Sequence, residues 1–166
     1  PQYCVSIGVK VKGRLAVGVV YDPISQELFS ATRGSGATLD GRRIRVSNRR
    51  DLDGALVASE FPFRSNAAWL ETNLNIYRDV MTQAGGIRHP GSAALSLCYL
   101  AAGRLDAAWM ISLKPWDIAA GVVILRESGG LVSSIADDGD YMESGNLVAG
   151  SPKVHNELKG IIDKHL

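Results

Sequence analysis

Cysteine is scarce in this chain: Cys4 and Cys98 are the only two among 166 residues. They lie far apart in apolar surroundings with no Cys-x-x-Cys spacing, which argues against a disulfide framework or a cysteine-built zinc site and for buried, reduced thiols. Net charge is nearly absent too, since 18 basic residues face 17 acidic ones for a balance of +1. Such a chain has no global field with which to grip a nucleic-acid backbone or an acidic membrane, so neither is expected as a direct partner. Long apolar runs are missing. The best, residues 118–125, is bounded by Asp117 and Arg126 and falls far short of the roughly 20 residues that cross a bilayer. Histidine is sparse, and His89, His155 and His165 show neither metal-ligand nor triad spacing. No secretory signal pattern is visible, and a cytoplasmic location is expected.

What remains is the composition of a folded globular protein, 46% apolar and 21% charged, long enough to bury a real core. The first 47 residues read as a β-meander. Tyr3, Val5, Ile7, Val9 and Val11 alternate with small or polar residues, the period of a half-buried strand. Lys12-Gly13-Arg14 marks a turn, residues 15–21 a second strand broken by Asp22-Pro23, and residues 27–32 a third. Gly34-Ser35-Gly36 lacks the strand–loop–helix setting and the lysine of a phosphate-cradling loop, so it reads as a β-turn. The basic cluster Arg42-Arg43-Ile44-Arg45 with Arg49-Arg50 reads as a solvated hairpin and loop.

Near Arg50 the character changes. A short buried strand at residues 56–59 leads into the corner Phe61-Pro62-Phe63-Arg64. Helical spacing runs over residues 66–83, with Leu70, Leu74, Tyr77 and Met81 on one stripe. A strand at 87–89 is followed by a helix that Ser92 caps, then by a strand at 107–111 and an apolar helix at 117–128. Strands at 131–134 and 147–149 precede a terminal helix opened by Pro152. The acidic stretch 136–140 lacks the spacing and terminal glutamate of a calcium loop and reads as a solvated turn. Strands mixed with helices predict a layered α+β or α/β sandwich.

The segment Pro115-Trp116-Asp117-Ile118-Ala119-Ala120-Gly121, running to Glu127-Ser128-Gly129-Gly130, carries the clearest chemistry. A carboxylate at a helix start can cap free N–H groups, or it can project into a cleft and hold a hard divalent cation. The segment resembles the C-terminal signature of the inositol monophosphatase family: Trp-Asp, then small residues, then Glu-Ala-Gly-Gly, with Ser128 in place of the usual Ala. Residues 5–47 are similar to that family's central strands, and residues 88–109 to its Arg-x-x-Gly-(Ser/Thr)-Ala-Ala-Leu segment and following helix. The resemblance implies a layered αβαβα sandwich. Residues 1–50 would complete the N-terminal sheet of the parent fold, and residues 51–166 would form the C-terminal α/β subdomain. The family's Gly-Glu-Glu and Asp-Pro-(Ile/Leu)-Asp-Gly-Thr segments do not occur here, so the chain reads as the C-terminal portion of a longer protein whose main catalytic carboxylates lie upstream of Pro1.

By the same resemblance the intact protein would be a magnesium-dependent, lithium-sensitive hydrolase of a small phosphate monoester, attacking with metal-activated water. It would be a homodimer, and the isolated fragment a poor catalyst. Asp117 would be both metal ligand and substrate neighbour. Gly91, Ser92 and Ala93 would touch substrate hydroxyls, while Ser92 reads equally well as a plain N-cap. Met110, seven residues before Asp117, stands where many inositol phosphatases carry a Glu that bonds a sugar hydroxyl. Thioether sulfur is a weak acceptor, which favours other esters: histidinol phosphate, a sugar phosphate or a nucleotide 3′-phosphate. Pro115 and Trp116 would pack to fix the Asp117 backbone; Glu60 could line the cleft but reads first as a surface or capping residue, Lys114 could attract an anionic substrate but reads first as solvent-facing, and Glu127 reads as structural. A rival reading is a catalytically incomplete relative acting as a binding or scaffold protein, since some bacterial members contact the transcription machinery.

Overall fold

The computed structural model describes residues 2–62, 67–136 and 139–166. Phe63, Arg64, the predicted helix start at residue 66, and Asp137 and Asp138 of the acidic turn lie outside the described residues. The meander forms as expected: β1 (Val5–Val11), β2 (Arg14–Asp22), β3 (Glu27–Thr32), β4 (Gly36–Leu39) and β5 (Arg42–Arg43) pair antiparallel in chain order. The second sheet is mixed, ordered β7-β6-β8-β10-β9. In it β6 (Leu56–Glu60) runs parallel to both β7 (Gly86–Arg88) and β8 (Ala107–Met110). β10 (Leu147–Gly150) is antiparallel to β8 and to β9 (Leu131–Ser134).

Helices α2 (Ala93–Ala101) and α3 (Pro115–Glu127) lie between the sheets, and α1 (Leu70–Met81) and α5 (Pro152–Ile162) cover the far face of the second sheet. The described residues thus build four layers: sheet, helix pair, sheet, helix pair. Alternation along the second sheet shows why. Ala58, Ala108, Met110 and Ala149 point to the α2–α3 layer, while Val57, Trp109, Ile111 and Val148 point to α1 and α5. A strand buried on both faces reads as a near-continuous apolar run, as β8 and β10 do. Full burial of Ile118, Val122, Ile124 and Leu125 on α3 contributes roughly 1.5–3 kcal/mol each.

Two expectations are corrected. The alternating residues of β1 do not face the core: Val5, Ile7, Val9 and Val11 are 41–56% exposed. The small side of the strand is the packed one. Gly8 and its register partner Gly18 let α3 approach so closely that a Cβ on Gly18 would stand 2.3 Å from the Ala120 carbonyl oxygen. On α1 the buried stripe is Asn73, Ile76 and Val80, one position away from the predicted one, and Leu74 and Met81 are exposed. The Trp109 indole N–H, buried beneath α1, donates to Asn73 Oδ1 at 2.8 Å, and satisfying it turns the polar Asn inward. A short helix α4 (Tyr141–Ser144), capped by Asp140, was not predicted. Among the described residues no helix is long and apolar enough to cross a membrane.

Candidate active-site cleft

Three parallel strands end together, β6 at Glu60, β7 at Arg88 and β8 at Met110. Crevices outside the carboxyl ends of such strands are where α/β folds bind ligands. Here the crevice is a cleft of about 620 Å³, closed on one side by the start of β1 and on the other by the N-termini of α2 and α3.

Asp117 lines it. The helix begins two residues earlier than predicted, with Pro115 at its first turn and Lys114 as N-cap, so Asp117 sits at the third position rather than at the cap. Its Oδ2 accepts the Lys114 N–H at 2.9 Å, and its own N–H donates to the Lys114 carbonyl at 2.9 Å. That reciprocal bonding fixes the side chain and uses one carboxylate oxygen; Oδ1 is left at the cleft. Capping and presentation to a ligand are therefore compatible. Trp116 does not pack as expected: it is 71% exposed on the cleft rim.

Gly91, Ser92 and Ala93 line the same cleft. Ser92 is the N-cap of α2 by position, yet its hydroxyl makes no capping bond and instead meets Cys4 Sγ at 3.8 Å. Burial raises the Cys4 thiol above its ordinary value. Ser6 Oγ, also in the cleft wall, is buried with no partner. Leaving a buried hydroxyl unpaired costs about 1–3 kcal/mol, a cost that a bound polar group would remove. Met110 is fully buried in the core and does not reach the cleft.

Two cleft residues escape sequence reasoning. Glu60, read as a surface or capping residue, is only 4% exposed and lines the cleft. It accepts from Ser96 Oγ at 2.7 Å and from the Gly91 N–H at 3.2 Å. Burial raises its carboxyl above the ordinary value, outweighing the Ser96 hydroxyl, the nearby His89 and the backbone donors that favour ionisation. His89 donates from Nδ1 to the Ser59 carbonyl at 2.6 Å, which fixes where that proton sits. The missed signal was positional: both residues stand at the ends of parallel strands.

Away from the cleft, Glu127 is structural as expected, its carboxylate accepting the Gly34 and Gly36 N–H groups at 2.8 Å each. The β-turn reading of Gly34-Ser35-Gly36 stands, with its donors already taken. The basic cluster is engaged within the fold, Arg43 with the Ser35 carbonyl and Arg49 with Asp106 at 3.2 Å.

One cleft thus gathers the α2 start and Asp117, two of the segments that carry the family resemblance. Residues 1–165 match the model of the inositol monophosphatase family. The chain belongs to that family. It is 48% identical to the Nus factor SuhB of Pseudomonas aeruginosa, over all of this chain and 62% of that protein. Among solved structures, the extragenic suppressor protein suhB of Bartonella henselae superposes with a TM-score of 0.92 at 40% identity, over 98% of this chain and 62% of that one. The inositol monophosphatase of Anabaena gives 0.88 at 33% identity, over 97% of this chain and 64% of that one. The chain spans about three fifths of the length of these relatives. Asp117 is a carboxylate in the cleft, and among the described residues no three His, Cys, Asp or Glu side chains converge to hold a metal ion. The carboxylate present can supply one hard oxygen ligand; it does not complete a site.

Proposed function

We propose that the intact protein hydrolyses a small phosphate monoester with magnesium, and that Asp117 supplies one ligand to that metal. The observation that carries the reading is the convergence of residues 91–93 and Asp117 on a single cleft at the carboxyl ends of parallel strands. In this reading the glycine-led turn and the first N–H groups of α2 face the polar substrate. Asp117, held by its own helix, needs no rearrangement to present an oxygen. Residues 1–50 complete an N-terminal sheet of the parent fold, and residues 51–166 form its C-terminal half. Lithium inhibition and a homodimer belong to the same proposal.

The test uses the full-length protein: phosphate release from a panel of monoesters with and without magnesium, beside calorimetric metal binding. Asp117→Asn lowers both activity and metal affinity, the latter by roughly 100-fold. Unchanged metal binding in that variant refutes the ligand assignment.

A second reading has its own support. The curated relative at 48% identity is named a Nus factor, which favours a binding role in transcription for this protein as well. The two readings separate in Asp117→Asn, which abolishes hydrolysis and leaves such binding intact.

A further inference from the structure

At the end of the parallel pair β6–β8, Glu60 and Met110 are register partners, so their side chains stand on the same face of the sheet. One is a carboxylate that reaches the cleft wall; the other is a thioether sealed in the core. The Ser96 hydroxyl seats Oε1 and the Gly91 N–H seats Oε2. The Ser92 N–H is a third donor to this carboxylate; since each oxygen can accept two hydrogen bonds, room for one further donor remains. None of the ion pairs among the described residues places a Lys or Arg on Glu60. A nearly buried carboxylate is costly to keep, here eased by the nearby His89, and its position in a ligand cleft marks it as a functional-site candidate.

We propose that Glu60 is a specificity-determining residue of this cleft, accepting a hydrogen bond from a hydroxyl or ammonium group on the alcohol portion of the phosphate ester. The assignment rests on the phosphatase reading above and deepens it. Two anionic groups repel at short range, so the phosphoryl group is kept from the Glu60 wall and the alcohol portion faces it. Met110 offers no comparable acceptor. Substrate discrimination therefore passes to the neighbouring strand, and esters with a donor on the alcohol portion form the preferred substrate class. An ester without a donor leaves Glu60 facing the ligand with its remaining acceptor positions unmet, which is how a site built for a polar group rejects an apolar analogue.

The test compares three esters of three-carbon alcohols, glycerol 1-phosphate, 3-aminopropyl phosphate and propyl phosphate, on the full-length protein with magnesium. Wild-type kcat/KM favours one or both donor-bearing esters over propyl phosphate by roughly 10–100-fold. The two donor arms tell a hydroxyl from an ammonium site. Glu60→Gln keeps the volume and an acceptor for Ser96; it raises KM and the calorimetric Kd for the preferred ester about tenfold or more and narrows the preference over propyl phosphate by the same factor. Equal losses on all three esters in Glu60→Gln make the residue a structural anchor and overturn the proposal. So does a wild-type enzyme with no donor preference, a result that needs no variant to fold. A wild type that hydrolyses no ester overturns the phosphatase reading itself, and this assignment with it.

Discussion

The two sheets are built from similar apolar strands, yet they are covered differently. The second has helices on both faces, and its central strands β8 and β10 are buried throughout. The first is covered on one face only: Gly8 and Gly18 meet α3, Val20 and Phe29 are buried beside them, and Val5, Ile7, Val9 and Tyr21 are open on the other. Alternation alone does not say which side of a strand is the inner one. Where the neighbouring layer must come very close, glycines choose the side, and the larger residues turn away.

The largest effect that sharpens this contrast is expected at Gly18. Gly18→Ala drives a Cβ into the α3 backbone and destabilises the full-length protein by about 3 kcal/mol, visible as a lower denaturant midpoint. If the midpoint does not move, α3 is not held as close as described. In the second sheet, Asn73→Leu strands the Trp109 indole N–H and costs about 2 kcal/mol, read out the same way.

A smaller effect comes from pH, and the two sheets give it in different windows. Burial lowers His155 below its ordinary value of 6.5, more than its bond to Asn156 raises it. The unfolded chain then holds more protons just below 6.5, so stability is full above that value and is lost as pH falls through it toward the folded one. His155→Gln flattens this part of a stability–pH profile. Asp22, at the end of β2, is raised by burial but lowered more by the Ile24 and Ser25 N–H groups and the Ser25 and Tyr99 hydroxyls, so its folded value lies below 3.8. Its contribution is complete above 3.8 and disappears as pH drops through the lowered value. Asp22→Asn removes that acid step and leaves the His155 step in place. A single shared step in both variants would break the distinction.

The smallest change in stability, within about 0.5 kcal/mol, is expected for Ile7→Thr on the open face of β1. In the 166-residue chain the substitution instead reduces self-association, measured by sedimentation velocity, because a large exposed apolar patch favours contact between copies. The same polar change at Val57, buried in the second sheet, lowers stability and does not improve solubility.

Much of this was legible from residue order. Turn residues and β-branched runs placed the meander and most of the second sheet, and the third strand of the meander keeps its predicted bounds, Glu27–Thr32. Asp117 and residues 91–93 were found because their motifs are local. The missing parts depend on partners distant in sequence. The α1 stripe is rotated by a hydrogen bond to Trp109, 36 residues away. Glu60 looks like a surface acid until Ser96 and Gly91, across the sheet end, enclose it. The start of α3 was placed two residues late, at Asp117, whereas Pro115 at the first position opens the helix.

Helix α3 carries Asp117 in its first turn and Glu127 in its last, where Glu127 clasps the β3–β4 turn. At 1.5 Å per residue these two grips stand roughly 15 Å apart on one stiff rod. A tug on the outer clasp is delivered to the cleft as rigid translation, with no soft joint between to absorb it.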